Sequence, residues 1–74
     1  METYQIEIEN RIHNVIAQDE ITYLIQTKGM KDFVLCRETK ETGNTWKVTE
    51  GMALVVLVNA LGLAIEYAEK LNVV

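Results

Sequence analysis

Polar and apolar residues alternate through much of positions 1–50, and after that the alternation stops. Tyr4, Ile6 and Ile8 fall on one side of an extended chain and Gln5, Glu7 and Glu9 on the other, which predicts a half-buried strand. The rhythm returns with Ile21, Tyr23 and Ile25 opposite Thr22 and Gln26. Leu24 interrupts the polar side, so this second strand is expected to be covered on both faces. Phe33, Val34, Leu35 and Cys36 form a short continuous apolar strand that runs into Arg37 and Glu38, and Trp46 and Val48 then alternate with Thr45, Lys47 and Thr49. Two turn signals separate these runs. One is Lys28 to Asp32, where Gly29 can take a positive φ; the other is Lys40 to Asn44, where Gly43 and Asn44 supply hairpin freedom. The strands after residue 20 should therefore pair as an antiparallel meander.

Residues 10–18 fit two templates. Ile12, Val15 and Ile16 have helical spacing behind Asn10 as an N-cap, yet the same stretch can extend the first strand through a bulge or hairpin. Its β-branched content tips the reading toward strand.

The last third is of another kind. Between positions 52 and 65 the only polar residue is Asn59, a run greasy on nearly every side. This predicts a long helix beginning near Thr49, with the Thr49 hydroxyl as cap, Glu50 at the positive dipole end and Lys70 in the last turn. Leu54, Val58, Leu61, Ile65 and Ala68 make a seam for packing on the sheet, against Trp46, Val48, Phe33 and Leu35. The expected fold is α+β: one domain over residues 1–74, with a β-meander of three to four strands crossed by one C-terminal helix. A helix that is apolar all round needs cover on every side, and 74 residues provide little of it. A second copy of the chain is the economical cover. The stripe holding Leu57, Ala60, Ala64 and Leu71, with Asn59 beside it, is the expected oligomer interface; there a buried Asn would set register, as in coiled coils.

Composition narrows the functional classes. Seven Lys and Arg against eleven Asp and Glu give a formal charge of −4, and no basic patch forms for phosphate contacts, which argues against nucleic-acid binding. A single cysteine excludes an intrachain disulfide and fits a reducing compartment; a single histidine leaves no zinc constellation, so no metal or cofactor is expected. The apolar run is interrupted by Glu66, Glu69 and Lys70, too early for the roughly 20 residues a membrane span needs. Acidic Glu2 stands where a secretory signal needs basic residues. A soluble, cytoplasmic protein is expected.

Few residues carry candidate chemistry. Cys36, in an apolar strand, reads as a small buried hydrophobe rather than a nucleophile, since no base or cation adjoins it. His13 reads as solvent-facing or structurally hydrogen-bonded, because catalysis needs a positioned partner. Glu66 and Glu69 share a helix face and read as its solvated end, with Glu66 able to pair with Lys70. Trp46 is expected beneath the helix as a core residue. In size, acidity and lack of catalytic motifs the chain resembles, in general character only, the small accessory proteins of phages and mobile elements. The expectation is a non-enzymatic protein that binds itself and another protein, as an inhibitor, adaptor or assembly factor. The alternative is a small-ligand binder whose junction pockets draw on Tyr4, Tyr23, Glu66 and Tyr67.

Overall fold

A computed structural model describes residues 2–70. Five strands follow one another along the chain: β1 (Thr3–Ile8), β2 (Arg11–Ala17), β3 (Thr22–Thr27), β4 (Phe33–Lys40) and β5 (Gly43–Glu50). They pair antiparallel in sequence order as one meander, and the helix α1 (Val55–Glu69) lies across one face. The architecture is the expected α+β meander with a C-terminal helix, but it has five strands rather than three to four. The fifth is β2, the stretch with two readings. Glu9 and Asn10 take φ of 51° and 66°, so a two-residue turn with both centres left-handed folds β2 straight back on β1. Neither residue is glycine, and the turn leaves little trace in the sequence.

The period-two pattern sorts side chains onto two faces. Tyr4, Ile6, His13, Val15, Tyr23, Ile25, Phe33, Leu35, Trp46 and Val48 face α1, in cross-strand registers such as Tyr4 opposite Val15 and Val15 opposite Ile25. Val15, Tyr23, Ile25, Phe33 and Leu35 join Val58, Leu61 and Ile65 of the helix in the core. Of the expected inward seam, Val58, Leu61 and Ile65 are buried, and the sheet partners lie where they were expected. Leu54 is not part of it. It is 79% exposed, because it precedes the helix instead of forming its first turn. Ala68 is exposed as well.

The helix starts later than Thr49 because β5 does not end there. Leu35 pairs with Val48 and Val34 with Glu50, so Thr49 is the extra residue of a β-bulge and caps nothing. Gly51 then turns the chain at φ 85°, where a Cβ would sit 2.9 Å from Asp32 O and from Phe33 Cβ. Leu54, without a capping side chain, opens the helix at the fourth residue after the strand. At the other end Lys70 is a left-handed cap (φ 57°) whose N–H reaches the carbonyls of Glu66 and Tyr67, just beyond the turn it was expected to occupy.

Candidate functional site

The helix holds both of its carboxylates on the sheet side, beside its buried apolar seam, and leaves large apolar side chains outside. Glu66 and Glu69 are its two carboxylates, and both turn toward the sheet. Glu66 is only 7% exposed and accepts from Trp46 Nε1 at 2.7 Å and Asn44 Nδ2 at 3.3 Å. It is therefore not the solvated end of the helix. Glu69, one turn on, accepts from Tyr4 Oη at 2.5 Å and Tyr23 Oη at 3.0 Å. Burial in this layer, and then the negative acceptor, raise the Tyr23 phenol from 10.0 to about 12. The same two causes push Tyr4 further up, so both phenols remain donors across ordinary pH. The Tyr23 ring also packs against the Trp46 indole, centroids 5.4 Å apart.

Local sequence puts each of these groups in place. Tyr4, Tyr23 and Trp46 occupy inward positions of β1, β3 and β5, and the spacing of three between Glu66 and Glu69 stacks both carboxylates over them. Gly62 completes the fit. A Cβ there would lie 2.4 Å from Trp46 Cδ1, so only glycine lets the helix rest directly on the indole. The layer fixes both the height of α1 above the sheet and its rotation about its own axis.

That rotation decides what faces outward. With Val58, Leu61, Gly62, Ile65 and Glu66 turned in, the opposite arc presents Val56, Asn59, Leu63 and Tyr67, which recur at helical spacing. Together with Met52, Leu54 and Val55 at the leading end, the large apolar residues here are between 66% and 90% exposed. Val56, Leu63 and Tyr67 share the arc and Met52, Leu54 and Val55 stand at the helix start; at roughly 100 Å² each the six amount to about 600 Å² of exposed apolar side chain.

The anticipated interface residues divide. Asn59 is exposed within the outer arc, while Leu57, Ala60 and Ala64 are half-buried along its flank. Leu71 lies outside the described residues. Of the anticipated ligand contacts, Tyr4, Tyr23 and Glu66 meet in the inner layer, and Tyr67 stands on the other side of the helix, 81% exposed. Sequence reasoning missed Glu69 as the shared acceptor and Val56 and Leu63 as the centre of the outer arc. The outer arc was legible in principle, since positions 56, 59, 63 and 67 are what remains once the inward seam is removed.

The other chemical candidates are separated by the sheet itself. His13 is inward, 1% exposed, with Nδ1 2.5 Å from Thr27 Oγ1, a structural hydrogen bond. Cys36 projects from the opposite, open face, half-buried rather than in the core, because its neighbour Leu35 takes the inward position. Ile16, Leu24 and Val34 line up in cross-strand register on that open face. Among the described residues no three His, Cys, Asp or Glu side chains converge, and no helix is long and apolar enough to cross a membrane. Compared with family models, curated proteins and solved structures, this small α+β chain matches none.

Proposed function

We propose that this protein is a non-enzymatic interaction module that self-associates through the outer face of α1 and, as an assembly, binds another protein. The observation that carries the reading is the inverted helix, with its carboxylates tied to the sheet and Val56, Leu63 and Tyr67 left to water. About 600 Å² of apolar side chain approaches the roughly 800 Å² that each partner contributes to a standard interface. Asn59 sits within this face, where one polar side chain in an apolar helix seam sets the register of pairing. The open sheet face, where Ile12 is half exposed and Ile16 and Leu24 are half-buried, is the surface left for a different protein, so the assembly acts as an inhibitor, adaptor or assembly factor. A non-catalytic role is supported by the opposed faces of His13 and Cys36, which keep base and thiol apart. The lone thiol fits residence in the reducing cytoplasm.

Sedimentation equilibrium tests this directly. The wild-type chain should sediment at a multiple of 8.4 kDa at micromolar concentration. Leu63→Glu and Val56→Glu should return it to monomer mass with the circular-dichroism spectrum of the folded chain, since a charge placed in an apolar interface stays unpaired. A wild-type chain at monomer mass throughout the concentration range ends the proposal.

A further inference from the structure

A cleft of about 380 Å³ opens between the β1–β2 turn and the first turns of α1. Most of its wall is apolar: Ile8, Met30, Leu54, Leu57 and Ala60. Two basic side chains, Arg11 and His13, stand on one side of it, on the same face of β2 and about 7 Å apart along the strand. His13 is a buried ring whose Nδ1 is hydrogen-bonded to Thr27 Oγ1; with the hydroxyl donating to Nδ1, Nε2 carries the ring proton. Nε2 is therefore the ring nitrogen left for whatever fills the cleft that His13 lines. Arg11 makes no ion pair among the described residues.

An apolar wall with a few convergent polar groups is the make-up of a small-molecule site, and the volume lies within the usual range for one. At about 30 Å³ per heavy atom it holds an occupant of up to roughly a dozen heavy atoms. Arg11 calls for an anionic group on that occupant, and Glu9, also in the lining, opposes more than one negative charge. We propose that the cleft binds a medium-chain monocarboxylate, with the carboxylate between Arg11 and Nε2 of His13 and the aliphatic chain against Met30, Leu57 and Ala60. The site adjoins the self-association surface, since Leu54 and Val56 line the cleft and belong to that surface, which makes a second copy the rival occupant.

Octanoate is the probe, titrated calorimetrically into the full-length chain and followed by nitrogen-15 spectra of the histidine ring. Saturable binding in the millimolar range or tighter is expected, with the Nε2 resonance moving as the site fills. Octanol, which lacks the charge, and acetate, which lacks the chain, should each bind at least about tenfold more weakly. Arg11→Gln alters an exposed side chain and should keep the fold while weakening octanoate by a similar factor. Equal affinity of the variant for octanoate overturns the proposal. So does failure of octanoate to saturate both the wild-type chain and Leu63→Glu, whereas binding by Leu63→Glu alone upholds the site and shows the second copy competing for it. Loss of self-association in Leu63→Glu with octanoate binding intact separates this site from the oligomer reading.

Discussion

Glu66 shows how much one side chain carries in so small a fold. It is the acceptor for the only tryptophan, and the Trp46 N–H is left unpaired if it is removed. Glu66→Ala should cost about 1–3 kcal/mol, the penalty for orphaning a buried donor. Glu66→Gln should cost less, since its amide oxygen still accepts from the indole. Denaturant titrations followed by Trp46 fluorescence measure both. The neighbouring phenols set an alkaline limit. Their folded pKa values are raised above 10.0, so the folded chain holds these protons more tightly. Their contribution is whole below pH 10 and is lost as pH rises from there through about 12. Stability should fall over that window, and tyrosinate absorbance should rise in step with unfolding. His13 sets the acid side. Burial first, and then the Arg11 charge, hold it below 6.5, so the unfolded chain takes up the proton first. Its contribution is present above pH 6.5 and is lost as pH falls through the lowered value, and a proton-NMR titration of the ring should give a midpoint under 6.5. None of these shifts was legible in the sequence, because burial in the folded core is the first cause of each, and the phenols' acceptor lies across the fold: Tyr4 and Glu69 are 65 positions apart.

At the scale of elements, the helix and sheet meet at a surface where size matters more than propensity. Gly62→Ala ought to stabilise an isolated helix by up to about 1 kcal/mol. Here the new methyl meets the Trp46 ring at 2.4 Å, and the indole is pinned by Glu66 and packed at a tilt against Tyr23. Net destabilisation of roughly 1–3 kcal/mol is expected from thermal melts, and a more stable variant would show that the indole can move aside. Leu61→Ala, at a position with no solvent exposure, should cost about 2–5 kcal/mol, whereas Leu54→Ala should cost little. The sequence pattern gave the identity of most elements because period two and period 3.6 are local properties. It located the inward residues of β1, β3, β4 and β5 and the buried seam from Val58 to Ile65. Boundaries were less legible. Thr49 and Glu50 look like a helix start, but the bulge that uses Thr49 arises from pairing with Val34 and Leu35, some 15 residues earlier in the chain. The apparent polar end of the helix misled for the same reason, since Glu66 and Glu69 are polar residues with buried partners.

For the whole molecule, the surplus of apolar surface was readable from length against composition, whereas the arc that carries it was not. Orientation of the arc comes from contacts among Tyr4, Tyr23, Trp46 and the two carboxylates. If self-association holds the chain together, melting temperature should climb with protein concentration in the wild type and be independent of it in Leu63→Glu. The same contacts have a consequence in time. Every strand pairs with its neighbour in sequence, so the sheet closes through short loops and can form quickly. The link from Tyr4 to Glu69 joins the first strand to the last turn of the helix, the longest loop closure in the described chain, and it can form only once the sheet beneath it exists. Docking of α1 is thus the late event in folding and its departure the early one in unfolding. In native-state hydrogen exchange the amides of α1 should open at lower free energy than those of β2, β3 and β4. Each such opening uncovers Ile25, Phe33 and Leu35, so the lifetime of the docked helix governs how often this chain shows its sticky interior to its neighbours.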